Sequence, residues 1–72
     1  MLPNPANVRL TVLDVRGAVA RTLLSGAQPA GARIVRWDGR NDSGARLPSG
    51  VYFVRLEVEG KAVASRLVTF LR

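Results

Sequence analysis

Side chains able to do chemistry gather in one stretch. Asp38, Asn41, Asp42 and Ser43 present oxygen donors within six residues, between Trp37 and Gly44. A hard cation such as calcium takes ligands of that type. Yet only two of the four are carboxylates, and their spacing does not follow an EF-hand loop. The same residue types cap turns, because Asx side chains accept hydrogen bonds from the backbone two residues on. Turn capping is the preferred reading. Asp14 is an isolated carboxylate. A glycosidase pair needs a second carboxylate about 5–9 Å away across a cleft, and nothing in the sequence points to a cleft. Asp14 is therefore read as a strand-end residue bonding the Val15-Arg16-Gly17 turn.

The chain has no His and no Cys. That removes the usual general base, the thiol nucleophile and the usual zinc ligands. The expectation is no catalytic residue, no metal and no cofactor, and therefore a function by contact rather than reaction, not an enzyme.

Charge suggests what kind of contact. Eleven Lys and Arg stand against five Asp and Glu, a net +6, which favours anionic partners. Arg33, Arg36, Arg55 and Arg66 are candidates for a basic stripe on one sheet face, facing lipopolysaccharide or nucleic-acid phosphates. Binders of single strands interleave aromatics for stacking. Phe53 is the one aromatic here expected at the surface, so nucleic acid ranks low among partners. The competing reading is a solvated face on which Glu57 and Glu59 partly neutralise the arginines.

The elements that must position these residues read as strands. Val8 to Asp14 alternates, with Val8, Leu10 and Val12 on one face and Arg9 and Thr11 on the other. Ala18 to Leu24 alternates weakly, and strand and short helical turn stay open there; Ser25 to Gly31 is breaker-rich and reads as loop. Arg33 to Trp37 is a third strand, with Val35 and Trp37 sharing a face. Gly39 to Gly50 is a long turn region containing Asp42-Ser43-Gly44 and Pro48-Ser49-Gly50. Val51 to Glu59 is the fourth strand, with Tyr52, Val54, Leu56 and Val58 toward the core. A tight hairpin at Glu59-Gly60-Lys61 leads to the fifth, Ala62 to Leu71. Short strands with frequent turns imply an all-β sandwich or small barrel. Trp37 and Tyr52 are read as core aromatics, with the indole N–H satisfied locally and the phenol tying down a loop.

Seventy-two residues bound the chain to one domain, 1–72, with 1–7 a linker or strand stump. A chain this size buries only ~60% of its unfolded surface and usually needs a staple. Without Cys the staple is a partner chain or a neighbouring domain. No apolar run approaches the ~20 residues that span a membrane, and residues 1–5 have neither the charged start nor the apolar core of a signal peptide.

Several of these residues carry a family resemblance. Val8, Leu10, Val12, Asp14, Val15 and Gly17, then Ala30-Gly31, then Val35-x-Trp37-Asp38-Gly39, then Ser43-Gly44, then Pro48-Ser49-Gly50-Val51-Tyr52 resemble the Ig-like domain of flagellar hook-capping proteins. They resemble equally the related C-terminal sorting domains of the type IX secretion system. The ending Arg66-Leu67-Val68-x-x-Leu71-Arg72 is similar to the basic, apolar ending of the sorting domains. The resemblance implies a small Ig-like antiparallel β-sandwich of about five strands. Its structural motif would be Asp14, Gly17, Trp37, Asp38, Gly39, Gly44, Gly50 and Tyr52. Arg66, Leu67, Val68, Leu71 and Arg72 would form a C-terminal recognition element.

The function implied is a non-catalytic export, sorting or assembly module of a larger exported bacterial protein, secreted or at the cell surface. Its partners would be secretion machinery or the parent protein. The alternatives are a self-associating structural domain of hook-cap type, or a basic β module binding polyanions. Family members usually carry one more strand before the first run, often ending in Leu-Pro. Leu2-Pro3 is then its stump, and the chain lacks the family's first edge strand. An open edge is a template for a strand from another copy, giving a homo-oligomer, or from a preceding domain.

Overall fold

Period-two alternation becomes ladder pairing in four of the five expected runs. The computed structural model describes residues 4–31 and 34–71. Its strands are β1 (Ala6–Leu13), β2 (Val19–Gln28), β3 (Gly50–Val58) and β4 (Lys61–Phe70). All neighbours are antiparallel, in one sheet of order β2-β1-β3-β4. The all-β class holds, and there is no helix among the described residues, hence none long and apolar enough to cross a membrane.

The register sorts the side chains into two faces. Val12 lies opposite Val54 and Arg21, and Val54 opposite Arg66. That face also carries Val8, Leu10, Tyr52, Leu56, Val68 and Phe70. Leu13 lies opposite Phe53 and Val19, and Phe53 opposite Leu67, on the other face. The core is small: Val8, Val12, Leu13 and Tyr52 are the buried apolar residues. Thr11, expected to point outward with Arg9, is completely buried. It sits on a central strand, opposite Thr22 on one side and Arg55 on the other.

Two hairpins are built by turn chemistry. After β1, Asp14 Oδ1 accepts the N–H groups of Arg16 and Ala18 at 2.9 and 3.0 Å, as the sequence suggests for a strand-end Asp. The β3–β4 connection is the two residues Glu59 and Gly60, both at positive φ (51° and 79°). That is the type I′ geometry whose twist suits a hairpin. Glu59 also donates its N–H to Asn7 O and accepts the Asn7 N–H on Oε1, both at 2.8 Å. The start of β1 is thereby fastened to the hairpin.

Two expectations are corrected. Residues 34–37 of the expected third strand form no ladder, and Arg33 lies outside the described residues. Burial there still alternates, with Val35 and Trp37 half-buried and Ile34 and Arg36 exposed. The segment meets the half-buried pattern that strand propensity reports by packing on the sheet face rather than by pairing. Four strands and a covering loop thus stand where about five strands were expected. Second, the run to Leu24 is a strand from Val19 that continues to Gln28, through the first four residues of the expected loop. Two register shifts, at Leu10/Thr11 and Val12/Leu13, explain the weak alternation, since a bulge breaks period two. Leu2-Pro3 falls outside the described residues. β1 is no edge, because β2 and β3 flank it.

Gly39 is where the covering loop comes closest to the sheet. It has φ +76°, and a Cβ there would collide with the Phe70 ring. Gly39→Ala should therefore cost about 2–4 kcal/mol, overpacking plus left-handed backbone strain. Gly44 has φ +88° and open space around it, so Gly44→Ala should cost only the backbone share, about 1 kcal/mol. Urea unfolding of the two variants, read by the lone tryptophan, checks the difference.

Candidate functional site

The site is built from a loop of polar turn residues and the strand that receives it. Asn41 organises the loop: its Oδ1 accepts Ser43 N–H (3.1 Å), Ser43 Oγ–H (2.8 Å) and Ala45 N–H (2.9 Å). Gly44 N–H donates to Asn41 O, and Asn41 N–H to Ala45 O. An isolated antiparallel bridge between Arg40 and Arg46 makes this a miniature hairpin. Such a loop has no hydrophobic core of its own, so it needs an anchor.

Arg21 on β2 is that anchor. Its Nη1 donates to Arg40 O and Asn41 O, both at 3.2 Å, and to Asp38 Oδ1 at 3.3 Å. Its Nε lies 3.8 Å from Asp42 Oδ1. Asp42 in turn accepts the Thr22 N–H at 2.9 Å and donates its own N–H to Ala20 O. A planar guanidinium holds its donors in a rigid fork, which suits it to acceptors fixed in place on either side, here with Nη1 shared among three of them and Nε facing Asp42. Each ion pair is partly solvated and individually weak; the set of contacts fixes the loop.

A second anchor is aromatic. Trp37 packs edge-on against Tyr52, with centroids 5.3 Å apart, and tilted against Phe70 at 5.0 Å. Tyr52 and Phe70 meet edge-on at 6.4 Å. Indole Nε1–H donates to Arg40 O at 3.1 Å, and the Tyr52 hydroxyl to Pro48 O at 2.6 Å. Trp37 is half-buried and Tyr52 is buried. The arrangement is a lock between loop and sheet.

Asp38 and Asn41 spend Oδ1 on N–H donors two and four residues on, which is turn capping; Asp42, expected to cap in the same way, instead accepts the Thr22 N–H of β2, twenty residues away. Among the described residues no three His, Cys, Asp or Glu converge as metal ligands. Asp14 caps the β1–β2 turn, with Gly17 at φ +84° in it. Gly39 lies beneath Phe70, Gly44 closes the Asn41 turn, and Gly50 opens β3.

The basic stripe is not assembled. Arg55 pairs with Ser65 and Arg66 with Val54, so the two arginines point to opposite faces. Arg36 sits on the loop, and Arg33 is outside the described residues. Arg55 Nε lies 3.5 Å from Glu57 Oε1. Glu59 is engaged with Asn7 instead. Of the C-terminal set, Arg66 and Leu67 are exposed on β4, Val68 is half-buried opposite Tyr52, and Leu71 is exposed just beyond the strand. Arg72 lies outside the described residues.

Sequence reading missed Arg21 and Phe70. The signal for Arg21 was a lone cation inside the small and apolar run Ala18 to Leu24, with two acids in the following loop. Phe70 had parity with Tyr52 and Val68 but was absorbed into an undifferentiated tail. Arg21→Met keeps the stem and removes every guanidinium bond, and should cost about 1–2 kcal/mol after allowing for exposure. Phe70→Ala should cost about 2–3 kcal/mol, below the range for a fully buried Phe. Both should red-shift the Trp37 emission before the sheet melts, which fluorescence and far-UV circular dichroism followed together will show.

A family model, the FlgD Ig-like domain, matches residues 1–62. The basal-body rod modification protein FlgD of Salmonella typhimurium is 38% identical to this chain over 56 residues, 76% of this chain and 24% of that protein. The protein of the same name from Salmonella typhi gives the same figures. This chain spans about a quarter of the length of those relatives.

Proposed function

This chain belongs to the FlgD Ig-like domain family, and from that premise we propose that it is a structural assembly module of hook-cap type. It acts by protein–protein contact, without catalysis or cofactor, as part of a longer flagellar protein exported to the cell exterior. The supporting observation is how the motif polar groups are used. Arg21, Asp38, Asp42 and Tyr52 spend hydrogen bonds on fastening one loop to the sheet, and Trp37 and Asn41 spend theirs on shaping that loop. Such a site holds a shape; it does not activate a substrate.

Export sorting of the type IX kind is the second reading. It is favoured by the exposed Arg66-Leu67 pair and exposed Leu71 at the C-terminal end. Truncation from Thr69 cannot test it, because Phe70 would be lost and the lock on Trp37 with it. Substituting Leu71 alone avoids that. A reporter fused upstream and carried to the surface of a type IX host by the intact chain, and not by Leu71→Asp, would favour sorting over assembly.

The assembly reading is tested by exchange. In the Salmonella typhimurium relative, the matched segment is replaced by this one, and hooks are counted by electron microscopy. Hooks are expected with the exchanged segment and not with the segment deleted. A stably expressed chimera that leaves cells without hooks overturns the reading.

A further inference from the structure

The two edges of the sheet are treated differently. The outer side of β2 is met by the loop, where Asp42 donates its N–H to Ala20 O and accepts the Thr22 N–H. β2 also carries two register irregularities. Loops and bulges of this kind are how proteins blunt an edge. β4 has neither over Ala64–Phe70, which pairs with β3 residue by residue, without Pro or Gly. Among the four strands β4 contacts only β3; the loop meets it at the face of the Phe70 ring, and among the described residues no hydrogen bond reaches its outer side.

Two rows of side chains end at that edge. On one face, Val19, Leu13, Phe53 and Leu67 are successive partners across all four strands. Leu13 is buried, but Leu67 at the end of the row is 62% exposed. On the other face, the row is Arg21, Val12, Val54 and Arg66. Arg21, at the closed edge, has Asp38 and Asp42. Arg66, at the open edge, is exposed and has no carboxylate among the described residues.

We infer that β4 accepts an extended acidic segment of a partner protein as a fifth strand, by main-chain pairing along Ala64–Phe70. The segment sets a carboxylate beside Arg66 and an apolar side chain beside Leu67, continuing both rows. Main-chain bonds supply affinity in this mode and alternate side chains supply specificity. A second copy is the poorer occupant. β4 carries Lys61 and Arg66 and no acid, and the chain is +6, so like pairing brings cation to cation. This inference rests on the assembly reading only in taking the ligand to be a protein strand.

The test uses the chain as it stands with a synthetic peptide of about ten residues alternating Val and Glu, long enough to cover a strand. Amide hydrogen exchange should slow at residues 64–70 and not along β2. Arg66→Glu, with unchanged circular dichroism, should weaken binding about tenfold, and so should a peptide with Lys in place of Glu. Arg66→Gln should fall between. Equal binding of the Lys peptide, no slowing at 64–70, or slowing along β2 instead would overturn the inference. So would protection of 64–70 that grows with chain concentration alone, which would mark the occupant as a second copy. Exchange on the isolated chain does not depend on hook formation, so the two proposals fail separately.

Discussion

The guanidinium of Arg21 is the contact on which the architecture turns. A four-stranded sheet of this length has two faces to cover and, among the described residues, no second sheet to cover them with. The chain answers with a largely polar loop, whose apolar hold on the sheet is concentrated at Trp37. Arg21 supplies an electrostatic and hydrogen-bonded hold, with two backbone carbonyls, Asp38 and Asp42 on one side chain. Once the loop is held, Trp37 falls between Tyr52 and Phe70. Gly39 can then lie flat beneath the Phe70 ring because it has no Cβ. The polar clamp and the aromatic lock share the Arg40 carbonyl, which accepts from both Arg21 and the indole. Loss of either should therefore loosen the other, as expected for groups in one network.

How much of this was legible in the sequence depended on whether the information was local. β1, β3, β4 and the Glu59-Gly60 hairpin were readable because alternation and turn residues act within a few positions. The capping roles of Asp14, Asp38 and Asn41 were readable for the same reason, whereas the bond of Asp42 to distant Thr22 was not. β2 was obscured because its bulges, which the pairing with β1 imposes, break the alternation. The segment before Trp37 misled because alternation reports which side chains are buried, and a segment packed on a face buries alternate residues as a paired strand does. Arg21 was invisible as an anchor because its acceptors come from the loop more than a dozen residues away. Single-residue patterns carry no trace of that geometry.

The family motif looks different in this light. Trp37-Asp38-Gly39 and Gly50-Val51-Tyr52 read in sequence as two turn signals flanking a polar stretch. In space they are two halves of one latch. Asp38 meets Arg21, Trp37 meets Tyr52, Gly39 admits Phe70, and Tyr52 reaches back to Pro48. Spacing between the halves is set by the miniature hairpin at Asn41. A latch of this kind needs fixed geometry, and the polar residue types dense in this stretch are used to fix it.

Charge follows from the same economy. The chain has five carboxylates, and each has an internal task. Asp38 and Asp42 hold Arg21, Asp14 caps the first turn, Glu57 meets Arg55, and Glu59 binds the Asn7 amide. Nothing acidic is left to face outward alone. The remaining arginines therefore set the field that an approaching protein meets, and that field is positive by elimination rather than by a concentrated patch. A diffuse positive surface steers acidic partners without fixing their orientation. Orientation must come from short-range features, and on this molecule the least guarded of these is the outer side of β4. In the proposed recognition, long-range charge and short-range edge divide the work.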